Sequence, residues 1–211
     1  MTAALPVFAS PADAAAALRA GRLIAHATEG LYGIAADPLC PAALAALDAL
    51  KGRAAGQGYV LIAANARDCE GWAAADAQVR ALLAHEWPAP LTLVCPAGPQ
   101  VPATVRGEDG TVALRVDRHP ASQAIGAQLQ HPWVSTSLNL RGEPPAGQWR
   151  DVPPALAQAL AGALDLGPEP RGVPSTLVRL AGGQVQIVRA GELKLEAIQQ
   201  VLASLATAVA P

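Results

Sequence analysis

The sequence has 211 residues, of which 52% are hydrophobic and 15% are charged, and this balance argues against disorder. The net charge of −2 gives no sign of a nucleic-acid or membrane partner, so any anion-binding site must be local. Cys40, Cys69 and Cys95 lack the C-x-x-C spacing of zinc sites, which favours a reducing compartment. The N-terminal segment has no signal-peptide pattern and no run approaches the roughly 18 apolar residues of a membrane span, so we expect a cytoplasmic protein with no membrane partner.

Helix and strand patterns alternate along the chain. In chain order they predict helix 10–21, strand 22–27, polar turn 28–38, helix 41–50, strand 59–65, helix 76–87, strands 91–96 and 111–116, helix 119–130, strand 133–137, helix 153–164, strands 175–180 and 184–188, and helix 192–208. Ser10 is the expected N-cap of the first helix, with Pro11 at its first position and Gly21 after its end. The alternation predicts the α/β class: a twisted mixed sheet covered by helices. Because a boundary in the flexible stretch 165–174 would leave too short a C-terminal piece, we expect a single domain over 1–211.

Two polar segments follow predicted strands. In residues 26–37 (HATEGLYGIAAD), Thr28 and Glu29 precede two glycines, which is typical of a capped turn or of a turn that approaches a ligand closely. Residues 134–145 (VSTSLNLRGEPP) contain four small hydrogen-bonding side chains within five positions. Such groups at the carboxyl edge of an α/β sheet often bind ligands, although a Ser/Thr turn would explain them as well.

Several cations lie beside glycines or hydroxyls. Lys51 and Arg53 end a helix, where they could either complement the helix dipole or hold a polyphosphate. Arg115 lies within an apolar strand and needs an anionic partner, either a structural carboxylate or a substrate carboxylate. Ser175 opens a strand, and Arg189 follows the next one. No catalytic triad or metal-binding helix is present, and the scattered histidines are expected to be structural, so the residues predict an enzyme that acts on phosphate by positioning and charge neutralisation.

These segments, in this order, resemble those of the YrdC family of threonylcarbamoyl-AMP synthases. The family has a P-T-E-T-x-Y-G-like turn, a K-x-R-P-x-x-K loop, a G-T-[IV]-x-[VL]-R strand, an S-T-S-A-N-x-S-G loop and a P-S-T segment. WPAPLTLV also resembles its W-P-G-P-[LV]-T segment. The resemblance covers residues 10–190 and implies a YrdC-like fold, with the helix 192–208 beyond it.

The resemblance implies a nucleotidyltransferase that joins L-threonine, bicarbonate or CO2, and ATP into threonylcarbamoyl-AMP, releasing pyrophosphate, for tRNA threonylcarbamoyladenosine modification. It implies catalytic roles for Lys51, Arg53, Ser137 and Asn139. It implies ATP binding by Lys51, Arg53, Thr111, Ser135, Ser137, Asn139 and Arg189. It implies threonine binding by Thr28, Arg115 and Ser175, with Arg115 on the carboxylate.

The same resemblance implies that ATP is used together with Mg²⁺ and that there is no tightly bound cofactor. It does not identify any side chain as a metal ligand. The implied partners are tRNA or double-stranded RNA and the downstream tRNA threonylcarbamoyl-transfer proteins. Two alternatives remain open: a YrdC-like paralogue that binds RNA or a nucleotide without synthesis, and a carbamoyl-transfer relative similar to the YrdC-type module of hydrogenase maturation proteins. The second lacks support because acylphosphatase-like and zinc-finger segments are missing.

Three loops depart from the family pattern. The first turn reads H-A-T-E-G-L-Y, without the usual proline and second threonine. Gln57 replaces the second lysine of the K-x-R-P-x-x-K loop and Ala54 its proline, while Leu138 and Arg141 replace Ala and Ser of the S-T-S-A-N-x-S-G loop. Losing one phosphate contact would weaken ATP binding by roughly 1.5–3 kcal/mol, about tenfold or more. We hypothesise that Arg141 supplies the charge missing at Gln57.

Overall fold

The structure is a computed structural model that describes residues 5–53, 57–74, 77–181 and 184–208. Within these ranges the helices are α1 (Pro11–Arg19), α2 (Pro41–Lys51), α3 (Ala77–Ala84), α4 (Pro120–Leu129), α5 (Pro154–Ala159) and α6 (Leu195–Ala208). The strands are β1 (Leu23–Ala27), β2 (Tyr32–Ala36), β3 (Val60–Ala63), β4 (Leu91–Pro96), β5 (Thr111–Val116), β6 (Trp133–Ser137), β7 (Leu160–Leu164), β8 (Thr176–Ala181) and β9 (Gln184–Arg189). Short 3₁₀ turns lie at Arg67–Cys69 and Trp149–Asp151.

The strands form one sheet in the order β7-β1-β2-β6-β3-β5-β4-β8-β9. The pairs β1–β7, β3–β5 and β4–β8 are parallel, and the remaining neighbours are antiparallel. The predicted α/β class with a mixed sheet is therefore confirmed. The assignment of the whole chain to one domain stays a prediction.

The first helix begins where its capping signals predicted, and the helices pack on strands across the sheet. Ser10 Oγ accepts a hydrogen bond from the Asp13 N–H, and Pro11 begins α1. Helices α1, α2 and α4 contact β1. Leu18 of α1 and Leu47 of α2 are fully buried, as are Ile24 and Ile34 of the sheet. Burial of these side chains stabilises the fold by about 1.5–3 kcal/mol each.

Two strands were not predicted. The segment 28–38 was expected to be a turn, but the turn is shorter and Tyr32–Ala36 forms β2, which is buried throughout and pairs with β1 and β6. The helix predicted over 153–164 ends at Ala159, and Leu160–Leu164 continues as β7 beside β1. Pairing with a neighbouring strand outweighs the helix propensity of these alanine- and leucine-rich residues.

The C-terminal helix begins later than expected, at Leu195 instead of residue 192. The reason is that Leu193 is fastened to β8: its N–H donates to Thr176 Oγ1, and its carbonyl accepts from the same hydroxyl. The predicted β8–β9 hairpin is confirmed by the pairing, although Gly182 and Gly183 of its turn lie outside the described residues. Among the helices of the described ranges, none has the length and apolar character needed to cross a membrane.

Candidate active site

One cavity of about 490 Å³ brings most of the predicted site residues together. Those that line it are Thr28, Arg53, Arg115, Ser135, Ser137, Ser175 and Arg189. They come from segments that are up to 161 positions apart in the chain, between Thr28 and Arg189. Among the described lining residues three are arginines and none is a carboxylate, so the cavity favours an anionic ligand.

The register of the central strands explains why these residues share one face. Strand β3 lies between β6 and β5, and Ile62 pairs with Trp133 on one side and with Arg115 on the other. Side chains alternate between the two faces of a strand, so Trp133, Ser135 and Ser137 lie on the same face as Ile62 and Arg115. This shared face forms the floor of the cavity.

Lys51 ties the helix α2 to the loop after β6 at one end of the cavity. Its Nζ donates to the carbonyl of Ser137 at 3.0 Å and to the carbonyl and Oδ1 of Asn139 at 2.8 and 2.6 Å. Ser137 Oγ donates to the same Oδ1 at 2.7 Å. Burial, with a smaller effect of the nearby charge on Arg53, lowers the pKa of Lys51 to about 8. Lys51 and Asn139 do not line the cavity themselves; they border it through Ser137.

Arg53 folds over its own loop beside Lys51. Gly52 ends α2 in the left-handed conformation (φ 55°), which turns the chain so that Arg53 follows directly. The Arg53 guanidinium stacks 4.5 Å from the centre of the Tyr59 ring and donates to the carbonyls of Gln57 and Gly58. The Gln57 side chain is exposed, while Ala54 lies outside the described residues.

Arg141, which the sequence suggested as a substitute for the missing lysine, reaches this same loop. Its Nη1 donates to the carbonyl of Gly52, between Lys51 and Arg53. The exposed Arg141 guanidinium thus lies beside both cations. This position agrees with the hypothesis of a compensating charge, which stays a prediction.

Arg115 lies at the other end of the floor and has a structural partner. Its Nη2 lies 3.0 Å from Asp117 Oδ2, and both side chains are buried. Asp117 also accepts hydrogen bonds from the N–H groups of Glu29 and His119. The Nε of Arg115 has no partner among the described residues. The carboxylate required by this buried arginine is therefore Asp117.

Ser175 and Arg189 form a second polar group above Arg115. Arg189 Nη2 donates to the carbonyl and the hydroxyl of Ser175, each at 3.0 Å. The Ser175 hydroxyl lies 2.7 Å from the buried Thr92 Oγ1, in the WPAPLTLV segment. Burial, and then the charge on Arg115, lowers the pKa of Arg189, as expected where two cations line one cavity.

Thr28 and Thr111 are placed differently from the other predicted residues. The Thr28 hydroxyl donates to the carbonyl of Leu31 and accepts from the N–H groups of Gly30 and Leu31, so it caps the turn while lining the cavity. Thr111 does not line the cavity, and its hydroxyl donates to Asp109. The ligand roles predicted for both residues remain predictions.

Other features of the site went unnoticed in the sequence. Leu31, Tyr32, Tyr59, Pro145 and Pro174 line the cavity, and each is within a few positions of a recognised motif. The Arg115–Asp117 pair could have been found, because residues i and i+2 of a strand share a face. The contact of His26 with Ser135, across 109 positions, leaves no such signal.

Comparison with known proteins agrees with the motifs. A protein-family model described as telomere recombination, for the Sua5/YciO/YrdC family, matches residues 16–191. A threonylcarbamoyl-AMP synthase of Chromohalobacter salexigens is 43% identical over 82% of this chain and 94% of its own length. One of Stenotrophomonas maltophilia is 41% identical over 72% of this chain and 84% of its own.

Solved structures give the same picture of the fold. Sua5 of P. abyssi with the changes H234A/Y235A superposes with a TM-score of 0.83 at 30% identity, covering 90% of this chain. The chain spans only 59% of the length of that Sua5. YciO of E. coli has a TM-score of 0.79 at 19% identity, covers 89% of this chain and 92% of its own, and supports the fold alone. The family match over most of the chain and the identities above 40% confirm the predicted resemblance: this chain belongs to the Sua5/YciO/YrdC family.

Proposed function

We propose that this protein is a threonylcarbamoyl-AMP synthase, which makes threonylcarbamoyl-AMP and pyrophosphate from L-threonine, bicarbonate or CO2, and ATP. The names of the curated relatives support this enzyme activity over a paralogue without synthesis. The observation that carries the proposal is the cavity itself, in which arginines and hydroxyls converge and no described lining residue is a carboxylate. A reaction between two anionic substrates needs such a surface, because their mutual repulsion must be cancelled.

The Arg115 end of the cavity is the proposed threonine site. Arg115 lines this end of the cavity and would pair with the amino-acid carboxylate, and the Ser175 hydroxyl, which Arg189 and Thr92 hold, lines it as well. Thr28 closes this end by fixing the turn before β2. A structure of P. abyssi Sua5 in complex with L-threonine, at 30% identity and a TM-score of 0.79, supports threonine as a substrate. This chain spans 56% of the length of that Sua5.

The Lys51 end is the proposed phosphate site. Lys51, Ser137 and Asn139 form a hydrogen-bonded group there, and Arg53 follows Lys51 by two positions. An Arg–Lys pair binds a polyphosphate well because Arg grips it with two donors while Lys supplies a point charge. Arg189 and Ser135 would contact the nucleotide from the middle of the cavity. Thr111 does not line the cavity, so it would contact only a part of ATP that extends beyond the cavity.

The chemistry fits these residues without a strong base in the site. The neutral amine of threonine would form a bond to the carbon of CO2, giving a carbamate, and release a proton to solvent water. The carbamate oxygen then attacks the α-phosphorus of ATP. The bond from this phosphorus to the bridging oxygen breaks, and pyrophosphate leaves with the electron pair. Lys51 and Arg53 would stabilise the charge that grows on the leaving group.

Magnesium would enter with ATP as part of the substrate. Among the described residues no cluster of His, Cys, Asp or Glu could hold a metal ion, and Mg²⁺ in enzymes that use ATP is commonly held largely by substrate phosphates. The product would pass to tRNA and to the downstream tRNA threonylcarbamoyl-transfer proteins. No observation in the structure favours double-stranded RNA binding in the absence of synthesis.

The direct test is to mix the purified protein with MgATP, bicarbonate and L-threonine and to measure pyrophosphate and the adenylate by mass spectrometry. We expect product that depends on both threonine and bicarbonate, and much less with L-serine or L-valine. Binding of ATP with no adenylate in the complete mixture would reject the synthase and favour the non-synthetic paralogue.

A further inference from the structure

His26, expected to be structural, reaches a residue of the cavity wall. It lies on β1, yet its Nε2 is 3.0 Å from the hydroxyl of Ser135 on β6, and strand β2 lies between the two. His26 is 1% exposed, and its ring meets that of Trp133 edge-on at 6.2 Å. The buried His26 ring therefore spans the width of strand β2 to form one hydrogen bond with Ser135.

Gly33 opens the way for this contact. Gly33 is the β2 partner of His26 and lines the cavity. A Cβ at this position would lie 2.7 Å from Ser135 Oγ and 3.0 Å from His26 Nε2, closer than side chains tolerate. Because glycine has no side chain, His26 can pass over β2 and reach Ser135, which lines the cavity.

His26 is neutral, so it does not compete for anions in the cavity. Burial lowers the pKa of His26 to about 4. The charges of Arg115 and His119 act in the same direction as burial, whereas the attraction of Asp117 and a contact with the backbone of Ala27 act against it. Its Nδ1 has no partner among the described residues. A buried N–H without a partner is rarer than an under-satisfied acceptor, so the proton belongs on Nε2, which then donates to Ser135.

Ser135 lies between the two proposed substrate ends. Trp133 is in the same row of the sheet as Ile62 and Arg115. Strands rise about 3.3 Å per residue, so Ser135 is roughly 7 Å along β6 from that row and Ser137 roughly 7 Å farther, next to Lys51. This middle position is where a group joining threonine to the α-phosphate has to sit.

We propose that His26 is a positioning residue, which holds the Ser135 hydroxyl as a hydrogen-bond donor to the carbamate oxygens that link threonine to ATP. The inference rests on the proposed synthase function. Since Nε2–H donates to the Ser135 oxygen, the hydroxyl hydrogen of Ser135 is free to point into the cavity. A donor here favours the carbamate as it forms and keeps its oxygen directed at the α-phosphorus.

The variants His26→Leu and His26→Gln test this role as a matched pair. Leucine fills the space with no donor, whereas the glutamine amide can donate from about the position of Nε2. We expect His26→Leu to lower kcat about tenfold to a hundredfold with little change in KM for ATP, and His26→Gln to recover most of the loss. His131→Leu, whose ring stacks on Trp72 outside the cavity, is the control and keeps kcat.

Thermal stability separates this role from a structural one. Leucine removes a buried polar ring with an unpartnered nitrogen, and the Ser135 hydroxyl, which lines the cavity, can bond water instead. His26→Leu should therefore unfold at about the same temperature as the wild type. The Ser135→Ala variant should lose kcat to a similar extent, and the double variant should be no worse than Ser135→Ala. A further loss in the double variant, or a fall in kcat that follows the fall in stability, would overturn the proposal.

The tautomer can be read directly from ¹⁵N chemical shifts of His26, assigned by comparison with His26→Gln. A proton on Nε2 supports the proposal, whereas a proton on Nδ1 would make Ser135 the donor to His26 and overturn it. Failure of the wild type to make threonylcarbamoyl-AMP would reject the proposed function but leave the tautomer and the stability results interpretable. The two failures are therefore distinguishable.

Discussion

Because Lys51 is partly deprotonated near pH 8, we expect ATP binding to be accompanied by proton uptake. Lys51 is 8% exposed and its three acceptors are uncharged oxygens, so its ammonium lacks the negative partner that would hold its pKa high. With its pKa lowered to about 8, about half of the molecules carry a neutral Lys51 amine at pH 8. A triphosphate placed beside this amine raises the pKa well above 8. Binding at pH 8 should then take up about 0.5 proton per site, and almost none at pH 6.5.

Isothermal titration calorimetry measures this uptake. MgATP is titrated at pH 8 in several buffers that differ in ionisation enthalpy. The slope of the apparent binding enthalpy against the buffer ionisation enthalpy gives the number of protons taken up. Lys51→Met keeps the length of the side chain and should reduce both the affinity and the slope. No uptake by the wild type at pH 8, or the same uptake by Lys51→Met, would refute the placement of Lys51 on the phosphates.

The same lowered pKa sets a pH dependence of stability. Between about pH 8 and the usual lysine pKa of 10.5, the unfolded chain binds more protons at this residue than the folded chain does. The contribution of Lys51 to the free energy of unfolding therefore rises with pH across this window and is lost as pH falls through 8. Urea titrations of wild type and Lys51→Met from pH 7 to 10 should show a smaller rise for the variant; parallel curves would contradict the burial of the ammonium.

Further predictions concern the two ends of the cavity. Asp117→Asn leaves the buried Arg115 without a carboxylate, which should lower the free energy of unfolding by roughly 3 kcal/mol. Saturating L-threonine should then raise the melting temperature of this variant more than that of the wild type, because its carboxylate replaces the missing one. Equal shifts in the two proteins would argue against a threonine carboxylate on Arg115. Arg141→Ala should weaken MgATP binding about tenfold and leave AMP binding unchanged, and adding Gln57→Lys should restore it. Arg150→Ala, a surface arginine paired with Asp165, is the matched charge control, and an equal loss with it would show a non-specific charge effect.

The recognition of the family depended on short-range patterns that a single sequence displays. Strands β4, β5 and β6 were predicted with their bounds, because apolar runs bordered by turn residues are local signals. Lys51 with Arg53, and the small polar residues after β6, were recognisable in the same way. Their spacing predicted phosphate chemistry, and the resemblance specified the reaction.

Tertiary structure decided the parts that depend on pairing between distant segments. Strands β2 and β7 carry no signal that distinguishes them from turn or helix, and they become strands because β1 offers an edge on each side. Arg141 reaches Gly52 across 89 positions. His26 reaches Ser135 in the cavity wall only because the register sets it opposite a residue without a side chain, Gly33. Composition and residue spacing determine local structure along the chain. Strand register and the close approach of backbones depend on contacts between distant segments, and they place the hydrogen-bond donors around the cavity.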